Sequence, residues 1–477
     1  MTTPRSLFGF VLTAALAGLV GIVACGSDGS RFDDGSNRVD AGDDGGFAPP
    51  LPPTPVGTVP DCTGTGCKQV TCESSTTRTS ISGTVFAPNG TLPLYNVIVF
   101  VPQVQPLPDL PAGLTCDRCG AVAGSPVVST LSKEDGTFRL DNVPAGKDIP
   151  LVIQVGKWRR QITIPAVKAC QDNALTDPQQ TRLPKNKAEG SLPKMAVTTG
   201  KCDELACLLP KLGLDASEYS PVSGDGKLNV YQGHRYDDGQ ADAPAPDGSP
   251  SAERLYDDFS RYDVVVLSCE CDLYARDKSN AERRKLYDYV SAGGRLLASH
   301  LQYAWLLGTP LRDDIASWRE DFDTNTNPPG PFSVDTSFEK GRALAKWLVT
   351  VNASQVEGQI PLNQPREDVG AVKGGAQRWI YSSTTQGGKD NGLGDQATKD
   401  FSVHAPVATD TANQCGKFVF ADVHLANLDR TATKPDNGFP GSCGTELTPE
   451  EKALAFLFFD LASCIQNESA APVPPLK

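Results

Sequence analysis

At 477 residues the chain is long enough for two folded domains and a tether. Its formal net charge of −13 argues against nucleic acid, which attracts basic patches, and against direct binding to acidic lipid headgroups. No Walker or Rossmann phosphate loop occurs, and neither a cofactor nor a metal set is expected from the motifs.

Arg5 precedes an apolar run from Leu7 to Val23, a charged segment and hydrophobic stretch that is short for a membrane span. The run ends in Ile22-Val23-Ala24-Cys25-Gly26, which resembles a bacterial lipobox. The resemblance implies a signal peptide at 1–24 and acylation (diacylglyceryl, palmitate) of the Cys25 thiol; multiple acyl chains hold a protein stably on a bilayer. The residues after Cys25 are Gly26 and Ser27 rather than aspartate, which by lipoprotein sorting rules implies the outer membrane, periplasmic or surface-facing. The lipid anchor is then the membrane contact. The plainer alternative is a secretory signal, or a signal anchor, with an incidental cysteine.

Residues 25–75 read as a disordered tether. Asp28, Asp33, Asp34, Asp40, Asp43 and Asp44 lie among glycines and are followed by Pro49-Pro50-Leu51-Pro52-Pro53; such composition cannot support a core. The chain holds 14 cysteines, and setting Cys25 aside leaves 13. An oxidising compartment makes disulfides the default, and an odd number predicts at least one free thiol. Cys116 and Cys119 form a C-x-x-C in a polar loop, without the helix a redox pair needs or the second pair zinc wants; a local or loop-stapling disulfide is expected. Cys269 and Cys271 alternate on a strand end, so their side chains should diverge and not pair.

Residues 76–170 carry short β-branched runs at Ile81–Val85, Val97–Val101, Thr137–Leu140, Leu151–Val155 and Arg160–Ile164, separated by turn residues such as Pro88-Asn89-Gly90. The spacing predicts an all-β antiparallel sandwich. The stretch from Ser82-Gly83-Thr84-Val85 through Arg160-Gln161-Ile162-Thr163 resembles carboxypeptidase regulatory-like domains, which have a prealbumin-like fold. That resemblance implies a non-catalytic support, spacer or binding module. Trp158, Arg159 and Arg160 are either a stacking patch for a glycan or edge packing.

Residues 193–467 predict an α/β domain. Met195–Thr198 and Asn229–Gln232 are strand candidates; Leu205, Leu208, Leu209 and Leu212 mark a helix that Pro210 should shorten. The stretch from Arg261 to Leu307 is the most ordered in pattern. Val264–Leu267 is a continuous apolar run suited to a parallel strand. Ser279 and Glu282 form a capping box, Leu286, Tyr287 and Val290 a helical stripe, and Gly293-Gly294 a stop before a second strand at Arg295–Ser299. Such a β-α-β unit places a ligand crevice at the strands' carboxyl ends, here Cys269, Glu270, Cys271, Ser299 and His300. Asp313, Asp314, Asp321 and Asp323 read as a solvated loop, and 374–400 as a long glycine-rich loop. Phe338–Val349 is a helix. Thr448-Pro449-Glu450-Glu451 opens another, with Leu454, Leu457, Phe458, Leu461, Cys464 and Ile465 inward. Residues 468–477 read as a disordered tail.

Tyr262-Asp263-Val264-Val265-Val266-Leu267-Ser268 with Tyr289-Val290-Ser291-Ala292-Gly293-Gly294-Arg295-Leu296-Leu297-Ala298-Ser299-His300 resembles the glutamine-amidotransferase-like superfamily, especially its ThuA-like branch, and Gly416–Asn427 resembles its late histidine-bearing strand. The resemblance implies a flavodoxin-like fold, with His424 at the histidine position and Asp422 beside the cleft. The family's nucleophile cysteine is absent: Ser299 and His300 stand there, Leu301 replaces the turn glycine, and Ala426 replaces the acid. Two functions follow. One is a cell-envelope lipoprotein with a non-catalytic binding or structural role toward a glycan or protein. The other is a hydrolase using Ser299 as nucleophile and His424 as base, with Cys269 or Glu270 near the oxyanion, or a metal-assisted site. His300 and His424 are each base, metal ligand or structural residue.

Overall fold

The computed structural model describes residues 64–74, 76–120, 122–200, 202–203, 205–233, 245, 248–318, 330–382, 397–425 and 443–474. Cys25, the signal segment, the tether to residue 63 and Ala426 lie outside them.

The first half is a β-sandwich. Its strands are β1 (Ser80–Thr84), β2 (Ile98–Pro102), β3 (Pro126–Leu131), β4 (Thr137–Asp141), β5 (Gly146–Val155), β6 (Trp158–Val167) and β7 (Asp172–Leu175). One sheet runs β3-β2-β5-β6, the other β4-β1-β7. Alternation drives the pairing: Ile81, Phe138 and Leu140 turn inward while Arg139 and Asp141 face water. Two strands were not visible in the sequence. β3 follows the polar C-x-x-C loop, and β7 lies beyond residue 170. β7 pairs with β1 in parallel, so the sandwich is not purely antiparallel.

The second half is built on a ten-stranded mixed sheet. Its strands are β8 (Met195–Thr198), β9 (Tyr219–Ser220), β10 (Leu228–Tyr231), β11 (Val264–Leu267), β12 (Arg295–Ser299), β14 (Phe332–Val334), β15 (Gln359–Ile360), β17 (Gln377–Ser382), β18 (Ala397–Ala405) and β19 (Gly416–Ala421); β13 (Ala316–Trp318) and β16 (Val369–Val372) form a separate ribbon. The order is β15-β14-β17-β18-β19-β12-β11-β8-β10-β9. Neighbours from β19 to β9 are parallel; those from β19 to β15 are antiparallel.

The β-α-β expectation holds at its ends. Ser279 and Glu282 cap helix Asn280–Ser291 reciprocally. Gly293 sits at φ 117, where a side chain would strain, and β11 and β12 pair in parallel with Val264 opposite Arg295. Pro210 leaves only the short helix Leu208–Lys211. The loop expected over 374–400 is corrected at its two ends, where β17 and the start of β18 are strand; residues 383–396 lie outside the described residues. β18 was hidden because the consecutive polar residues Thr398, Lys399 and Asp400 follow its first residue, yet every residue of it is buried.

The two halves share one apolar core. Helix Pro449–Ala462 lies between them: Phe456 stacks on Tyr95 at 5.6 Å, and Phe459 meets Trp158 edge-on at 6.2 Å. Trp158 is 1% exposed and Arg159 is buried, which removes the stacking patch considered for a glycan. Cys116 and Cys119 do not pair with each other; each bonds across the halves, to Cys415 and Cys464. Cys72–Cys170 closes the sandwich, and Cys202–Cys271 and Cys207–Cys443 lie in the second half. The tail expected to be disordered is tied down at Glu468. Its carboxylate lies 2.8 Å from Lys340 Nζ and 2.8 Å from His404 Nε2, and also meets Lys417.

Candidate functional site

The carboxyl ends of β8, β11, β12 and β19 converge, as parallel strands require. Cys269 follows β11, His300 follows β12, and His424 stands just past β19. His300 takes φ 42, a left-handed geometry that costs a non-glycine residue about 1–2 kcal/mol. That turn sends its ring toward β19 and β11. His300 Nδ1 lies 2.7 Å from His424 Nε2 and 3.3 Å from Cys269 Sγ. The imidazoles meet edge to face, with centroids 4.5 Å apart. All three donor atoms lie within 4.8 Å of one another.

Four residues not singled out in the sequence complete the site. His300 Nε2 lies 3.0 Å from Asp368 Oδ2. Arg366 Nη2 sits 2.7 Å from His424 Nδ1, and Lys399 Nζ donates to the Arg366 carbonyl. Asp203 accepts the backbone N–H groups of Leu205 and Leu425, each at 3.1 Å. Arg366 and Asp368 precede β16 in a stretch without pattern. They reach the site because Pro365 bridges Val423, and Asp422 Oδ2 accepts the Asp368 N–H at 2.8 Å. Asp203 carried a usable signal, lying just past β8 at the crevice edge.

These contacts set the protons. Arg366 can only donate, so His424 Nδ1 accepts and Nε2 carries the hydrogen toward His300 Nδ1. The His300 proton is then on Nε2, facing Asp368. Burial pushes His300 down to about 4, which leaves it neutral at pH 7. Burial pushes the Cys269 thiol up to about 12, with Asp203 and Glu270 adding to it. Burial and the neighbouring Asp368 carboxyl raise Asp422 to about 8; its Oδ1 has no hydrogen-bond partner among the described residues.

Each residue expected at the crevice has a place. Ser299 is 1% exposed, and its Oγ accepts the Cys269 N–H at 3.0 Å. The His424 nitrogens face Arg366 and His300, so the expected Ser299–His424 couple is replaced by a serine that braces Cys269. Glu270 is corrected as an oxyanion neighbour. It is 1% exposed, lies 3.1 Å from Lys278 Nζ and accepts from Gln302 at 3.1 Å. Cys271 is not a cleft thiol, because it bonds to Cys202. Cys269 is the free, buried cysteine among the described residues. His234 lies outside the described residues. His404 is on β18, held by Glu468 away from this cluster.

No family model matches the chain, and no curated protein matches it. Among solved structures, two interface mutants of a type II cohesin–X-dockerin complex from Acetivibrio cellulolyticus are similar to parts of it. They are 17% and 14% identical, with TM-scores of 0.16 and 0.15, each covering 31% of this chain and 79% of the other. BcpA, the major pilin subunit of Bacillus cereus, is 16% identical over 23% of this chain and 30% of its own, with a TM-score of 0.14. Likenesses this slight assign the chain to no family.

Proposed function

We propose that this chain is a cell-envelope lipoprotein, anchored through Cys25, with a non-catalytic binding role. In this reading its second half is an amidotransferase-like, flavodoxin-like sheet whose acyl-transfer machinery has been replaced. One observation carries it: among the described residues, the crevice at the strand ends presents no nucleophile that a substrate could reach. The Cys269 thiol is fully buried and held protonated, and Ser299, which accepts from the Cys269 backbone and faces the Asp203 carboxyl, is only 1% exposed. Nucleophilic catalysis needs a reachable group poised beside a base. With Trp158 interred between the halves, a protein of the envelope is a better partner than a glycan.

The test uses the full chain in detergent with a fluorophosphonate serine-hydrolase probe. Wild type and Ser299→Ala are expected to be equally unlabelled; labelling that disappears with Ser299→Ala would overturn the non-catalytic reading. The anchor is tested separately by palmitate incorporation, expected in wild type and absent in Cys25→Ser. Incorporation that survives the substitution would remove the envelope placement.

A further inference from the structure

We propose that Cys269, His300 and His424 form a mononuclear site for a late first-row transition-metal ion of the zinc class, bound through Cys269 Sγ, His300 Nδ1 and His424 Nε2. The proposal goes beyond the binding role above and does not depend on the lipid anchor.

The donor set is the first argument. One thiolate and two imidazoles suit zinc and its neighbours, and three protein ligands leave a fourth position for water or a bound group. Metal–nitrogen bonds of about 2.0 Å and metal–sulfur bonds of about 2.3 Å place tetrahedral donors roughly 3.3–3.5 Å apart. The separations here are 3.3 Å for sulfur to His300 and 2.7 Å for the two imidazole nitrogens. The sulfur–His300 distance already fits, the nitrogens need to part by about half an ångström, and the sulfur and His424 Nε2 lie within 4.8 Å of each other.

The surroundings are the second argument. Three ligands from three different strand ends are set on the rigid edge of one sheet. Ser299 holds the backbone of one ligand. Asp368 stands on the far nitrogen of another at 3.0 Å, as in the carboxylate–histidine–metal arrangement that orients ligand rings. Behind it, Asp422 is fully buried with an oxygen lacking a hydrogen-bond partner among the described residues. His300 keeps 14% of its side chain exposed, which gives an ion a way in.

Arg366 is the opposing feature. It donates to His424 Nδ1, so loading requires the shared proton to move from Nε2 to Nδ1 and the guanidinium to turn away. Coordination also takes the proton from Cys269, and that proton leaves to solvent. The metal-free hydrogen-bond chain and the loaded site are therefore two states of the same residues.

The full chain, purified in detergent and stripped with chelator, is titrated with Co²⁺. One equivalent is expected to produce tetrahedral ligand-field bands and a thiolate-to-cobalt charge-transfer band, and Zn²⁺ is expected to bleach both. Cys269→Ser should lose the charge-transfer band, with unchanged circular dichroism as the folding control. Asp368→Asn, which keeps all three donors, should weaken Zn²⁺ by about 10- to 100-fold. Absence of the charge-transfer band at one equivalent in wild type overturns the site, as does its persistence in Cys269→Ser. The wild-type titration decides the matter even where a variant does not fold. Probe labelling that depends on Ser299 would sink the non-catalytic reading and leave the metal site untouched. A silent cobalt titration would do the reverse.

Discussion

Burial decides what the chemically capable residues of this protein do. Cys269 is 0% exposed, so in the absence of metal it should resist iodoacetamide in the native chain and react only after unfolding. Alkylation mapped by mass spectrometry checks this. Glu270 and Lys278 are a buried pair, each side chain 1% exposed, and Lys278 also lies 5.7 Å from the Trp305 ring centre. A buried ion pair broken on one side leaves an uncompensated charge, whereas replacing both partners with apolar groups costs little. Lys278→Met should therefore destabilise the protein by about 3–5 kcal/mol. The double substitution Lys278→Met with Glu270→Leu should recover most of that loss, as read by chemical unfolding.

At the scale of elements, helix Pro449–Ala462 and the residues after it act as a clamp. Thr448 and Glu451 cap the helix reciprocally, and Glu451 also meets Lys211 at 2.6 Å. Thr448→Ala should cost about 1 kcal/mol in thermal or chemical unfolding. Beyond the helix, Glu468 closes a cluster with Lys340, Lys417, His404 and Asp460. The two lysines and His404 hold its carboxyl well below the ordinary carboxylate range, against the opposing effect of burial. A carboxylate lowered in the folded state adds stability above its unfolded value of about 4.3, and that stability is lost as the pH falls through the folded value. Glu468→Gln should therefore lower stability at pH 7, and the gap between variant and wild type should narrow steadily below about pH 4. A gap independent of pH would show that the carboxylate is not the clamp.

At the largest scale, the sandwich and the mixed sheet are held together as one body. Cys116–Cys415 and Cys119–Cys464 close loops of 299 and 345 residues, and long loops are where a crosslink most restricts the unfolded chain. Loss of Cys119–Cys464 through paired alanine substitutions should cost about 2–5 kcal/mol, measured by denaturant unfolding under non-reducing conditions. The shared core around Phe456, Phe459 and Trp158 should keep the halves associated even then. Among the described residues no helix is long and apolar enough to cross a membrane.

The sequence by itself determined those features that depend on neighbours along the chain. The capped helix at Asn280–Ser291, its glycine stop, the apolar strands β8, β11 and β12, and the capped terminal helix were each written in local period and punctuation. Tertiary structure decided the rest, because the remaining signals join residues far apart. β18 carries Lys399, Asp400 and His404 and looks like loop until β17 and β19 enclose it. Cys116 and Cys119 look local until their partners arrive from residues 415 and 464. Arg366 and Asp368 have no motif at all, and reach His424 and His300 only through the bridge from Pro365 to Val423. A cluster of side chains from separate strand ends has no period along the chain, so its chemistry exists only once the sheet has formed.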